Sequence, residues 1–403
     1  MLLRYGTSED GRIEKKAHIY TQAEHGIDPH KVDPDALWVV RLLRKEGFHA
    51  YVVGGAVRDL LISRHPNDFD VATDAHPQRI RRIFRSARII GRRFRIVHVY
   101  CGREKFIEVT TFRSRVSARN AAGDAQPEAS LFGTIEEDAE RRDFTMNALY
   151  YCPVERHVID YVGGYPDIRA RRIRTLIPAE ESFAEDPVRM IRAVKYASLS
   201  GFPLPLGMAG LIKRYRESLL SCARERVTEE VYKILTTGSA EPILELAHRL
   251  RLFEVMFPAL EGAIREGRLK FVDTPLAERL RALDQRAREG RHLEREAMFG
   301  FLFRDHVRTR EDLLADPDPS FLIQQFLRTA AEPLFPSRKD LAVAAEVILR
   351  EAHPQRRPPA HAPRAGGDAA PRTAADGSPR RRRRRRSGRR RNPRPGPGPV
   401  PRN

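Results

Sequence analysis

The chain has 403 residues, enough for two or three domains, and 41% of them are hydrophobic, enough to fill an ordinary core. No apolar run nears the ~18 residues that a membrane span requires, and the opening MLLRYGTSEDGRIEKKAH has no signal-peptide core, so a soluble cytoplasmic protein is expected. The formal charge is +19, of which residues 354–403 carry +14 through sixteen arginines against two aspartates; such a balance needs a polyanionic partner, either nucleic acid or an acidic membrane surface. Cys101, Cys152 and Cys222 lie far apart without a CxxC, which points to reduced thiols and away from a disulfide framework or a zinc site.

Residues 1–30 are polar and weakly patterned and read as an ordered or half-ordered lead-in. DPDALWVVRLLRKEG predicts a helix with Asp33 as N-cap, Pro34 at the first helical position, Ala36, Val39, Val40 and Leu43 on one face, and Gly47 as the stop. The buried strand AYVV follows and ends at Gly54-Gly55. A short helix from Ala56 to about Ile62 comes next, then a strand holding NDFDVAT, then a basic helix over 77–84. RFRIVHVYC and FIEVTTF flank the tight link GREK and predict a hairpin, so an α/β domain extends to about residue 175. EDPVRMIRAVKYA, RERVTEEVYKIL, EPILELAHRLRLFEVM and SRKDLAVAAEVILREA then carry helical patterning, which predicts an all-helical second half. After about residue 353 the composition collapses into Pro, Gly, Ala and Arg, with seven consecutive arginines over 380–386, and too little apolar surface remains to offset chain entropy; this segment is expected to be disordered.

In NDFDVAT, Asp68 and Asp70 share one face of an extended strand while Phe69 and Val71 take the other. Two like charges on one face repel unless a cation lies between them, and hard carboxylate oxygens suit Mg²⁺, which is usually held by one or two carboxylates plus phosphate and water. A shared aspartate can bridge two ions ~3.5 to 4 Å apart. Glu108 in FIEVTTF shares a face with Phe106 and Thr110 and is a natural third ligand. Taken alone, the pair is better read as loop or cap aspartates satisfied by backbone amides. Gly54-Gly55 shift that balance: a strand running into two glycines and a helix lets the backbone approach a phosphate, with Arg58 and the helix N-terminus facing the charge. In EDPVRMIRA, Asp186 and Pro187 make a cap and first turn, and Arg189 and Arg192 lie three residues apart on one helical face. An aspartate accepting from an exocyclic amine and an arginine donating to a ring nitrogen read a base edge without a template, though N6 of adenine and N4 of cytosine look alike to them. A capped amphipathic helix with surface arginines accounts for the same residues.

YVVGGAVRDLLISRHPNDFDVAT, FIEVTTFR, RRDFTMNALYY and EDPVRMIRAV resemble, in order and spacing, the motifs of class II nucleotidyltransferases over roughly residues 18–260. That family contains the bacterial poly(A) polymerases and the CCA-adding tRNA nucleotidyltransferases. The resemblance implies an α+β fold: an N-terminal nucleotidyltransferase (polymerase-beta-like) head with a small mixed sheet, an all-helical neck and body, and a disordered basic tail. On that division the lead-in is 1–30, the head 31–175, the RNA- and nucleotide-binding neck 176–240, the body 241–353 and the Arg/Pro-rich tail 354–403. The resemblance further implies that Asp68 and Asp70 bind the catalytic metals with Glu108 as third carboxylate, and that Asp143 of RRDFT belongs to the active site. Gly54, Gly55, Arg58, Arg142, Asn147, Asp186, Arg189 and Arg192 are then the nucleotide contacts.

The implied activity is template-independent transfer of AMP from ATP to the 3′-OH of mRNA or small RNA, releasing pyrophosphate, with two Mg²⁺ ions. IIGRRFRIVHV resembles the poly(A) polymerase form, since Arg95 stands where CCA-adding enzymes usually have a small residue; AHIYTQAEHGI and the tail look like the same branch. The alternatives are a CCA-adding enzyme and an RNA-binding protein that keeps the scaffold without catalysis; the presence of all three carboxylates argues against the latter. The chain departs from the family by passing into low complexity after about Arg350, and the stretch between Arg113 and Leu131 reads as a flexible loop beside the site. The tail is expected to tether RNA without sequence specificity, with acidic lipid as an alternative ligand. Protein partners are not readable.

Overall fold

The computed structural model describes residues 2–7, 13–91, 95–102, 105–114 and 131–352. The basic tail, most of the stretch expected to be a loop between Arg113 and Leu131, and residues 92–94 of the IIGRRFRIVHV segment lie outside the described residues.

A nine-stranded mixed sheet carries the N-terminal half. Its strands are β1 (Leu2–Thr7), β2 (Ile13–Tyr20), β3 (Ala50–Val53), β4 (Asp70–Thr73), β5 (Ala87–Ile90), β6 (Ile96–Tyr100), β7 (Phe106–Thr111), β8 (Leu149–Cys152) and β9 (His157–Asp160), in the order β1-β2-β9-β8-β3-β4-β7-β6-β5. Among the described residues only the β4–β7 pair is parallel. The helix Pro34–Lys45 forms as its pattern dictates: Asp33 accepts from the Asp35 and Ala36 amides, and Ala36, Val39, Val40 and Leu43 are buried. The hairpin also forms, with Tyr100 opposite Phe106 and His98 opposite Glu108. The short helices fall at Gly55–Leu61 and Pro77–Ile83.

Two expectations need correction. The lead-in holds two strands, and β2 joins the sheet through His18, Ile19 and Tyr20 opposite Asp160, Ile159 and Val158. Its ladder partner lies some 140 residues away in sequence, so no local pattern announces it. Asp68 is not on a strand: β4 begins at Asp70, and Asp68 belongs to the exposed loop before it. The alternation itself survives, since Phe69 and Val71 are buried while Asp68 is exposed and Asp70 only part-buried.

Among the described residues no strand follows β9, and the second half is helical up to Arg338–Ala352. One apolar core, running from Tyr20 to Ile348, joins the sheet to these helices. A smaller cluster, including Tyr51, Val53, Phe112 and Tyr150, covers the other face of the sheet.

Candidate active site

Strand register assembles the site. Val53 at the end of β3 lies opposite Asp70, and Asp70 lies beside Glu108 in the parallel β4–β7 pair. The glycines that follow Val53 therefore meet Asp70 and Glu108 at one end of the sheet. Gly54 has φ +71° and ψ −132°, a conformation that costs a side-chain-bearing residue on the order of 1–3 kcal/mol. Gly55 differs: a Cβ added there would meet only Arg58 Nη2, at an ordinary 3.5 Å, so folding does not demand glycine at this position.

Burial first, then the charges of Glu108 and Asp68, push the Asp70 carboxyl up from 3.8 to about 7, against the opposing pull of Arg142 and Lys233. Such loading of all-oxygen donors fits a divalent hard cation. Among the described residues no three His, Cys, Asp or Glu side chains close around one point, so an ion at Asp68 and Asp70 needs further ligands from substrate or water. Glu108 is 3.8 Å from His98 Nε2, which is stacked on Phe106.

Asp68 and Asp70 open on a cleft of about 780 Å³, which Glu108 does not line. Gly55, Arg58, Asp68 and Asp70 line it from the head, and Arg192, Lys195, Tyr196, Glu230 and Lys233 line it from two helices, Val188–Ser200 and Arg224–Thr236. Arg58 is 4% exposed; it donates to Asp59 and to Asn147 Oδ1, and lies 5.0 Å from the Tyr196 ring centroid. Arg192 and Lys195 also approach that ring, at 5.8 and 5.2 Å, so one tyrosine gathers three cations at the cleft wall.

Behind the cleft the expected site residues form a frame. Asn147 Nδ2 donates to Asp143 Oδ1, which also accepts the Phe144 amide, while Asp143 Oδ2 is 3.0 Å from Arg192 Nε. Arg142 donates to Asp138, to the Tyr150 hydroxyl and to the Asn147 carbonyl. Burial opposes charge on both Arg142 and Arg192, but Tyr150 and Asp138 for the first, and Tyr196, Asp143 and Glu230 for the second, hold each above the usual guanidinium range. Asp143 and Asn147 are thus committed to Arg192 and Arg58, and neither lines the cleft.

Asp186 and Arg189 do not line it either. Asp186 Oδ1 caps the Val188 amide at 3.3 Å and Oδ2 takes Arg226 at 2.7 Å; Arg189 donates to Ser182 and Glu185. Sequence reasoning missed Lys195, Tyr196, Glu230 and Lys233. Lys195 and Glu230 form a buried ion pair across 35 residues, and Lys195 first, with Arg192, holds Glu230 below the usual carboxylate range despite its burial. The one sequence signal was a charged residue at an inward position of each amphipathic helix.

A family model described as the poly A polymerase head domain matches residues 50–174, and one described as the probable RNA and SrmB-binding site of polymerase A matches residues 201–264. Poly(A) polymerase I of Haemophilus influenzae is 35% identical over 74% of this chain and 67% of its own length. Poly(A) polymerase I of Salmonella typhimurium is 36% identical over 71% and 63%. The CCA-adding enzyme of Bacillus subtilis is 37% identical over 56% of this chain and 55% of its own. The chain thus spans about two thirds of the length of these poly(A) polymerases. Among solved structures, the Bacillus stearothermophilus CCA-adding enzyme in complex with CTP matches with a TM-score of 0.52 at 28% identity, covering 81% of this chain and 80% of that one.

Proposed function

The chain belongs to the class II nucleotidyltransferase family, and we propose that it adds AMP from ATP to RNA 3′ ends without a template, releasing pyrophosphate. The observation that carries this reading is the loaded sheet edge: Asp70, beside Glu108 and close to Asp68, lines with Asp68 and Arg58 a cleft whose opposite wall carries Arg192, Lys195 and Lys233. In this reading Asp68 and Asp70, with Glu108, hold two Mg²⁺ ions. Bound there, Mg²⁺ lowers the pKa of the RNA 3′-hydroxyl and neutralises charge on the triphosphate and the departing pyrophosphate.

The chain's own groups do the rest. The backbone at Gly54-Gly55 and the Arg58 guanidinium take the triphosphate; this explains glycine at position 55, where the fold would accept a methyl group. Asp143 and Asn147 act as positioning residues for Arg192 and Arg58, and Arg142 braces the same turn. Base choice falls to Asp186 and Arg189, which must exchange Arg226, Glu185 and Ser182 for a base edge. The likeness to poly(A) polymerases runs over 71–74% of the chain, against 56% for the CCA-adding enzyme, which supports ATP over CTP.

The test supplies Mg²⁺ with ATP or CTP, separately, to the protein with an unstructured RNA and with a tRNA lacking its CCA end. Long A-tails on the unstructured RNA, absent for Asp70→Ala in a protein that still folds, are expected. CTP incorporation confined to tRNA would make this a CCA-adding enzyme; no incorporation on either RNA would leave an RNA-binding scaffold.

A further inference from the structure

Outside the cleft, the chain turns between the helices Pro319–Ala330 and Arg338–Ala352 in a way that exposes one aromatic ring. Leu334 is 1% exposed and Pro336 is buried, yet Phe335 between them is 53% exposed. Its backbone is fixed: the Phe335 amide donates to Thr228 Oγ1 at 2.8 Å, and the Leu334 amide to the Ala331 carbonyl at 2.8 Å. A ring held outward by two buried neighbours is not a loose apolar side chain. It flanks a cavity of about 390 Å³ whose rim carries Arg224, Arg328 and Arg338. Arg224 is committed to Glu332 and to the Pro333 and Leu334 carbonyls, with its guanidinium 6.0 Å from the Phe335 centroid. Arg328 and Arg338 are exposed, and neither has an acidic partner among the described residues.

Resting on the RNA-directed reading above, we propose that this pocket is an accessory site for single-stranded RNA, in which a base stacks on Phe335 while Arg328 and Arg338 take the flanking phosphates. Base-on-aromatic stacking is sequence-tolerant, and unpaired arginines beside an aromatic face are what a single-stranded backbone requires. The occupant follows from the charge: three arginines against one glutamate suit a polyanion, and the turn lies outside the residues that either family model matches.

The helix Arg224–Thr236 connects the two sites. Arg224 and Thr228 face the Phe335 turn, whereas Glu230, Lys233 and Thr236 line the cleft. At 1.5 Å per residue its two ends are ~18 Å apart, a length that about five stacked nucleotides cover, so a strand longer than this with its 3′ end in the cleft can run along the helix to Phe335. The site therefore separates long RNAs from short ones.

The experiment uses the full chain without ATP and fluorescent oligo(A) of about 4 and about 15 nucleotides at fixed salt, with extension of both primers measured in parallel. Phe335→Ser, and separately the double variant Arg328→Glu/Arg338→Glu, are expected to weaken binding of the longer RNA about tenfold while leaving the shorter one unchanged; Phe335→Tyr retains the wild-type difference. Equal binding of the long RNA by wild type and variants, or an equal loss for both lengths, overturns the site and leaves a surface for a protein partner. Failure of the wild type to extend any primer would overturn the adenylation reading instead, whatever the binding data show.

Discussion

Folding buries Asp70 beside Glu108 and close to Asp68, and it is burial first, and this crowding second, that moves its carboxyl from 3.8 to about 7. The unfolded chain has no such crowding. Between pH 4 and 7 the metal-free folded protein therefore binds a proton at Asp70 that the unfolded chain has already released, and its stability falls as pH rises through that window. Asp70→Asn removes the charge and with it the loss. In the presence of a chelator the variant should match wild type near pH 4 and be more stable above pH 7, by about 2 kcal/mol, a part of what a fully shielded three-unit shift would give. Urea denaturation across that pH range measures it; a variant less stable than wild type at pH 8 would mean that the three carboxylates do not strain one another. At this scale much of the site was legible, because Gly54-Gly55 and Asp68-x-Asp70 belong to short segments whose conformation is set locally. Tyr196 was not, since it matters only because Arg58, 138 positions earlier, folds onto its ring.

The helices Val188–Ser200 and Arg224–Thr236 supply the cleft wall opposite the sheet, and the buried Lys195–Glu230 pair joins one to the other. Neither charge can be removed alone at low cost, because its partner is left desolvated and unpaired. Glu230→Gln should therefore lose about 3 kcal/mol in urea denaturation. The double variant Lys195→Met/Glu230→Leu should recover most of that loss, since an apolar pair of similar volume needs no compensation. Recovery of stability without recovery of AMP transfer would place the pair in the site; full recovery of both would reduce it to packing. Element reading went furthest where cap and period agreed, as in Pro34–Lys45 with its Asp33 cap. It failed for β1, β2, β8 and β9, whose residues show no clean alternation of their own and whose places in the sheet are set by long-range ladders, β2 on β9 and β8 on β3.

Charge divides the whole molecule unevenly: +14 of the formal +19 lies in residues 354–403, leaving +5 for the part that contains the cleft and the Phe335 pocket. On the RNA-directed reading proposed above, two kinds of RNA contact are expected from this. The cleft and the pocket hold few phosphates in fixed geometry, so their share of the affinity depends weakly on salt. The sixteen arginines of residues 354–403 can neutralise many phosphates, and each one on a single strand contributes ~0.7 to the slope of log affinity against log salt. If half of them engage, the segment accounts for about 6 of that slope. A chain ending at residue 353 should therefore bind RNA more weakly at low salt and with a much flatter salt dependence, while extending a saturating primer at the wild-type rate. Anisotropy titrations over a salt series, paired with single-turnover extension, give both quantities. A slope unchanged by the truncation would assign the phosphate contacts to the cleft and the Phe335 pocket, and would make Arg58, Arg192, Lys233, Arg328 and Arg338 the source of the salt-dependent affinity itself.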